Sequence, residues 1–240
     1  MTQIHKNYLD ELNTPQREAV INTDGNYLVL AGAGSGKTRV LTYRLLHILL
    51  EKKAFPSQVL AVTFTNKAAL EMKKRVMDML SIPIDNLWLG TFHSLSVRIL
   101  RKHAELVGLK SNFIILDKDD QLKVIKQICE RERIDVKEKT PKHILNFIDN
   151  SKNKSITIEN SKIFKQKKAD KDTIKIYKHY EKELIRLNCS DFGNLLLHCL
   201  TIFKKRENVL KIYQNQFKYI LVDEYQDINY TQQLWLKYLY

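Results

Sequence analysis

Ala31 to Thr38 reads AGAGSGKT and follows directly on the apolar run Tyr27–Leu30, YLVL. Small residues at such a place let backbone N–H groups curl around phosphate oxygens at the positive end of the helix that follows. Ala31, Gly32, Ala33, Gly34, Ser35 and Gly36 would form the cradle, Lys37 would reach the β- and γ-phosphates, and the Thr38 hydroxyl would hold Mg²⁺. Alanine replaces the usual glycine at position 31, which a small side chain permits if the backbone avoids positive φ. A second apolar run, YILV at 219–222, ends in Asp223 and Glu224, within ILVDEYQD. Alone, DE after a strand is also what an exposed β-turn carries. Beside a phosphate loop, Asp223 completes the metal shell and Glu224 orients and deprotonates a water, and the chemistry is hydrolysis of a nucleoside triphosphate. Adjacent strand residues point to opposite faces, so both acids serve one site only where the strand ends and the chain turns.

These residues need a scaffold, and the pattern supplies one. YLVL (27–30), VLAVTF (59–64), LWLG (87–90) and YILV (219–222) have the character of buried parallel strands. Leu41, Leu45, Ile48 and Leu49 form a helical stripe after the first, and Ala69, Met72, Val76 and Leu80 form another after the second. The fold class is α/β, a parallel sheet flanked by helices. From about Lys102 to Asn188 the chain turns helical and basic. Thr140–Pro141 reads as an N-cap and first-turn proline opening a helix through Ile144, Phe147 and Ile148, and a second helix runs near Asp172–Leu187 with Ile174, Tyr177, Leu184 and Ile185 inward. Between Ser151 and Arg186 stand eleven Lys or Arg against five Asp or Glu, including the run KIFKQKK. Asp223 lies so far along the chain from Lys37 that this segment reads as an insertion into the nucleotide-binding sheet.

The net charge of +13 points to a polyanion such as nucleic acid, or to charges that are merely solvated. Three cysteines, Cys129, Cys189 and Cys199, have no paired spacing, which argues against a disulfide framework or zinc and fits a reducing cytoplasm. No stretch approaches the ~18 apolar residues of a spanning helix, and MTQIHKNYLDELN lacks a signal-peptide core.

Five motifs occur in order: LNTPQREAV (12–20), AGAGSGKT (31–38), VTFTNKAALEM (62–72), GTFHS (90–94) and LVDEYQDIN (221–229). Together they closely resemble the UvrD/Rep/PcrA family of superfamily-one DNA helicases, with DFGNLL (191–196) similar to that family's DF-x-D-L-L segment except for Asn194. The resemblance implies a RecA-like P-loop fold, ATP with Mg²⁺, and movement 3′ to 5′ on DNA. Gln16 would read the adenine edge, since a side-chain amide offers a donor and an acceptor. Phe64 would face single-stranded DNA with Thr63, Thr65 and Asn66 beside it, and Thr91, His93 and Ser94 would touch the DNA backbone. Outside the resemblance, Phe64 reads as a core aromatic and His93 as a structural histidine.

The family plan assigns 1–105 and 189–240 to the RecA-like domain and 106–188 to a basic, mostly helical DNA-binding insertion. It implies as partners single-stranded DNA, duplex junctions and C-terminal helicase domains, in a monomeric protein. Relatives continue past DEYQD into a second RecA-like domain whose arginines stabilise the transferred phosphoryl group, and the chain reads as truncated before them. Two functions follow: the N-terminal portion of an ATP-driven helicase, or an ATP- and DNA-binding module with negligible ATPase, because a missing arginine finger costs about 10³–10⁵ in rate. A small kinase is disfavoured, since TFTNKAA, GTFHS and DEYQD have no reason to occur there. In folds of this class the strand after DEYQD lies between the DEYQD strand and the P-loop strand, so the sheet is expected to show a gap there.

Overall fold

Val59–Val62, the start of VLAVTF, is buried at every residue because it is the central strand, β1, of a parallel sheet. The computed structural model describes residues 8–80, 84, 86–134, 140–160 and 170–240. The chain divides into two compact units, Met1–Leu95 with Lys211–Asp227 and Tyr240, and Ser96–Leu210 with Ile228–Leu239.

In the first unit β1 pairs with β2 (Trp88–Gly90) on one side and with Tyr219–Val222, here β5, on the other, Leu60 standing opposite Trp88 and Ile220. Asp223 extends the ladder, its N–H donating to the Val62 carbonyl at 2.9 Å. The helices α1 (Thr14–Ile21), α2 (Lys37–Leu50) and α3 (Asn66–Leu80) belong to this unit. Leu45, Leu46 and Ile48 of α2 and Met72, Val76 and Leu80 of α3 pack with Val59, Ala61 and Leu221. Full burial of each such side chain stabilises by about 1.5–3 kcal/mol. Trp88 meets the rings of Tyr213 and Phe217 edge-on, with centroids 5.9 and 5.3 Å away.

The fourth expected strand does not form. YLVL pairs with no strand among the described residues, Leu28 and Leu30 are 71% and 86% exposed, and β5 is an edge. A strand's backbone groups need a neighbouring ladder, and the position beside β5 holds no strand of the described residues. The apolar run is legible in the sequence, but no described strand pairs with it.

The second unit contains a feature with no clear sequence signal: β3 (Ile114–Leu116) pairs in parallel with β4 (Cys189–Asp191), tying the two ends of the basic segment together. α4 (Phe92–His103) leads into it, and α5 (Lys118–Arg131), α6 (Pro141–Asn153) and α7 (Lys171–Arg186) bury Ile125, Ile128, Ile144, Ile148, Ile176, Tyr177, Tyr180 and Leu184 in one core. Thr140 caps α6, accepting from the His143 N–H as its sequence implies. Tyr177 and Leu184 face inward as expected, joined by Ile176 and Tyr180, and Ile174 packs at the margin of the core, whereas Ile185 is exposed. α8 (Phe192–Lys205), α9 (Glu207–Gln216) and α10 (Tyr230–Leu239) complete the chain, and α10 packs on α8.

The basic character of this segment also needs correction. Lys152 is completely buried, its ammonium 2.5 Å from Asp191 and 2.7 Å from Glu181. Burial alone would lower its pKa, but the Asp191 and Glu181 charges outweigh it and hold the ammonium protonated. Tyr180 donates to Asp191 at 2.9 Å, and Asn194 donates to Glu181 at 2.8 Å. The departure of Asn194 from the resembling motif therefore has a reason, because an aspartate there would face a carboxylate. Gly193 is required by the same packing: a Cβ on it would stand 2.7 Å from Lys152 Cδ. The KIFKQKK run lies outside the described residues. Lys171, Lys175, Lys178 and Lys182 are exposed and spaced to share one face of α7.

His198, one turn beyond Asn194 in α8, has an Nε2 with no hydrogen-bond partner among the described residues. Burial lowers its pKa from 6.5 to about 4. Between those values the unfolded chain binds the extra proton, so stability is lost as pH falls. Urea unfolding is expected to show about 2 kcal/mol lost between pH 7 and pH 5, a loss absent from His198→Leu; equal losses in both proteins would assign the slope to other groups.

Candidate nucleotide and nucleic-acid site

Every candidate site residue lies in the first unit. The phosphate loop has the backbone its sequence demands: Gly34 and Gly36 take φ of 75° and 86°, a region that side chains rarely enter, while Ala31 is absent from the positive-φ residues. Ala31 is therefore no obstacle to the cradle. Gly36 is the N-cap of α2, so the free N–H groups of that helix open toward the loop. The Lys37 ammonium donates to the carbonyls of Ala31 at 3.3 Å and Gly32 at 3.2 Å, folded back into its own loop. Ser35 closes the turn, its hydroxyl donating to the Gly32 carbonyl at 2.7 Å. Ala33 is exposed within the loop.

Thr38 and Asp223, from opposite ends of the sequence, come together: the Thr38 hydroxyl donates to Asp223 Oδ2 at 3.4 Å. Burial, and next the charge of Glu224, push the Asp223 carboxyl above its ordinary pKa, partly opposed by Thr38 and Lys37. Two hard oxygen donors side by side, one carrying an unfavourable negative charge, fit Mg²⁺, which takes few protein ligands and completes its shell with phosphate and water. The turn expected after the strand is present. Glu224 adopts φ of 47° just beyond β5, and its N–H donates to the Asp223 carboxylate at 3.1 Å. Gln226, to which the sequence reading gave no role, donates to the Glu224 carboxylate and orients it.

Gln16 lies in the first turn of α1, where Asn13 caps it reciprocally: the Gln16 N–H donates to Asn13 Oδ1 at 3.0 Å, and Gln16 Oε1 accepts from the Asn13 N–H at 3.2 Å. Its Nε2 donates to the Ser35 carbonyl at 2.9 Å. The amide thus touches the phosphate loop directly, and reading an adenine edge requires it to exchange these bonds. Arg39 and Tyr43 of α2 both donate to Glu11, joining the segment before Gln16 to the helix that carries Lys37. Neither contact has a sequence signature.

The second cluster forms where β1 and β2 end side by side. Phe64 is 61% exposed, so it is not a core aromatic. Thr65 caps α3, accepting from the Ala68 N–H at 3.1 Å, and the Thr91 hydroxyl donates to Asn66 at 3.3 Å, bringing TFTN and GTFHS together. The Ser94 hydroxyl donates to the Thr91 carbonyl at 3.0 Å. Gly90 is needed there because a Cβ would lie 2.4 Å from Ser94 Oγ. Thr63 is buried with its hydroxyl donating to the Thr65 carbonyl at 3.1 Å, a position that shapes the loop from beneath. His93 is half-buried, and burial lowers its pKa.

A phosphate loop, a strand-end Asp-Glu pair and an exposed aromatic beside polar strand ends, set on one parallel sheet, define a P-loop nucleotide-binding protein with a candidate nucleic-acid face. The family model described as UvrD/REP helicase N-terminal domain matches residues 12–240, and the chain belongs to that family. It is similar to the ATP-dependent DNA helicase PcrA of Bacillus subtilis (strain 168), 43% identical over 239 residues that cover 100% of this chain and 32% of that protein. PcrA of Staphylococcus aureus (strain Mu50) is likewise 43% identical, over 96% of this chain and 32% of its own length. The chain therefore spans about a third of the length of these relatives.

Proposed function

We propose that this chain is the N-terminal portion of an ATP-dependent DNA helicase that moves 3′ to 5′ on single-stranded DNA, binding ATP with Mg²⁺ and opening duplex junctions. The observation that carries the reading is the approach of Thr38 to Asp223 within 3.4 Å, with Glu224 beside them. Lys37 exchanges its carbonyl partners for phosphate oxygens, and the N–H groups at the start of α2 hold the same phosphates. Thr38 and Asp223 would hold Mg²⁺, which would supply neutralisation of charge on the phosphates. Glu224, oriented by Gln226, takes the proton of the attacking water. Gln16, one bond from Ser35, reports the base to the loop.

In this proposal Phe64 stacks on a base while Asn66, Thr91, His93 and Ser94 meet phosphates or sugars. The exposed lysine face of α7 contributes phosphate contacts that position without specifying sequence. In this proposal efficient hydrolysis belongs to the whole protein, this chain spanning about a third of the length of its relatives. A cytoplasmic, monomeric protein belongs to the same proposal; the three buried free thiols support a reducing compartment and leave the oligomeric state to the family resemblance.

Filter binding of single-stranded DNA at 50 and 200 mM salt is the test. Affinity is expected to fall steeply with salt, and replacing Lys171, Lys178 and Lys182 by glutamine should reduce the log–log slope by about 2, at about 0.7 per phosphate contact. Affinity indifferent to salt would remove DNA from the proposal.

A further inference from the structure

Glu11, Arg39 and Tyr43 belong to none of the five sequence motifs, yet within the first unit they join the segment that carries Gln16 to the helix that carries Lys37 and Thr38. The Arg39 guanidinium donates to the Glu11 main-chain carbonyl at 2.9 Å and to the Glu11 carboxylate at 3.2 Å. The Tyr43 hydroxyl donates to the same carboxylate oxygen, and the Arg39 cation lies 5.4 Å from the centre of the Tyr43 ring. Arg39 and Tyr43 are one turn apart on α2, so a single carboxylate spans that turn. A Cβ on Gly36 would stand 3.0 Å from Gln16 Nε2 and 3.8 Å from Arg39 Cβ, so the Gln16 amide and this clamp flank the same residue of the phosphate loop.

The other polar holds on Gln16 are its own amide bonds, to the Asn13 N–H inside the α1 cap and to the Ser35 carbonyl. Meeting a base takes both amide groups away from those partners. Leu12, Val20, Val40 and Tyr43 still keep α1 against α2, but apolar packing is non-directional. A donor and an acceptor that must both meet one base edge need a fixed direction. The bonds to Glu11 supply it, because they involve no atom that the base would engage through Gln16.

We propose that Glu11, gripped by Arg39 and Tyr43, is a positioning residue that sets how strictly this site distinguishes adenine from other bases. The clamp holds the Gln16 segment in register with α2 while the amide is turned to the base, and it leaves the phosphate contacts of the loop alone. The proposal rests on the reading of Gln16 as the residue that meets the base.

The test is isothermal titration of the whole chain with ATP, ITP and tripolyphosphate in Mg²⁺, ITP carrying a carbonyl where adenine carries its amino group. The Glu11 and Arg39 side chains are 54% and 41% exposed, so the pair adds little to overall stability and its removal leaves the fold intact. Glu11→Ala is expected to lower the ratio of ATP to ITP affinity about threefold to fivefold and to leave tripolyphosphate binding unchanged, the scale that one such set of bonds supports. Tyr43→Phe removes only the hydroxyl and keeps the buried ring, and it should move the ratio in the same direction. Glu11→Gln keeps an acceptor for both donors and should restore much of the ratio. A lower melting temperature with ATP and ITP weakened alike would mark a purely structural role and overturn the clamp. An unchanged ratio in folded Glu11→Ala and Tyr43→Phe proteins would also overturn the clamp alone. Equal affinity for ATP and ITP in the unmutated chain, or none for either, would overturn the base-reading role of Gln16, and the clamp with it.

Discussion

Lys152→Met is expected to destabilise the helical unit by about 3–5 kcal/mol, the usual result of removing one partner of a buried ion pair. Methionine preserves most of the volume lying over Gly193, so the loss is electrostatic rather than steric. Asp191 would remain in the interior with Tyr180 and the α8 N-terminus to satisfy it, and Glu181, 29% exposed, would keep Asn194 and some access to water. Urea denaturation followed by tyrosine fluorescence measures the effect, Tyr177 and Tyr180 lying within 5.8 and 5.1 Å of the ammonium. The triple change Lys152→Met, Asp191→Asn, Glu181→Gln should recover much of the loss, since it removes the stranded charges as well. A single-mutant loss below about 1 kcal/mol would mean that water or rearrangement solvates the carboxylates, contrary to the burial of Asp191.

Lys37→Ala is expected to weaken Mg²⁺–ATP binding by about 10- to 100-fold, from the loss of charge-assisted bonds worth about 1.5–3 kcal/mol. The fold should be unaffected, because Lys37 bonds only to the Ala31 and Gly32 carbonyls of its own loop. Isothermal titration with ATP measures the change, and circular dichroism establishes that the helices remain. Affinity within twofold of the unmutated chain would show that nucleotide binds elsewhere. The two lysines differ in surroundings: Lys37 bonds to carbonyls of its own exposed loop, whereas Lys152 is buried against Asp191 and Glu181.

Most of the ATP site could be read directly, because its chemistry is local. AGAGSGKT contains its own glycines, its own lysine and the start of its own helix, and DEYQD contains the acids together with the turn that presents them. The resemblance added Gln16, Phe64 and Thr91, whose roles no spacing argument supplies. Gln226 has no such local signal, since nothing in its place within DEYQD announces that its amide will meet Glu224. Ile185 is exposed although Leu184 beside it is buried, because one step along a helix turns the side chain by about 100°.

The order of residues alone sets a glycine-rich loop at 31–38 between an apolar run and a helix, places Asp223 and Glu224 at the end of a strand, and alternates helices with strands. Each of those properties resides in a few consecutive residues. Only the tertiary structure decided that YLVL stands unpaired beside no strand of the described chain, that β3 and β4 tie the inserted segment into a unit, and that Lys152 is a core ion rather than a DNA contact. Ladder pairing and desolvation are set by neighbours far away in sequence: Lys152 is buried by Asp191, Glu181 and Gly193 on other elements, and no local pattern around it records their arrival.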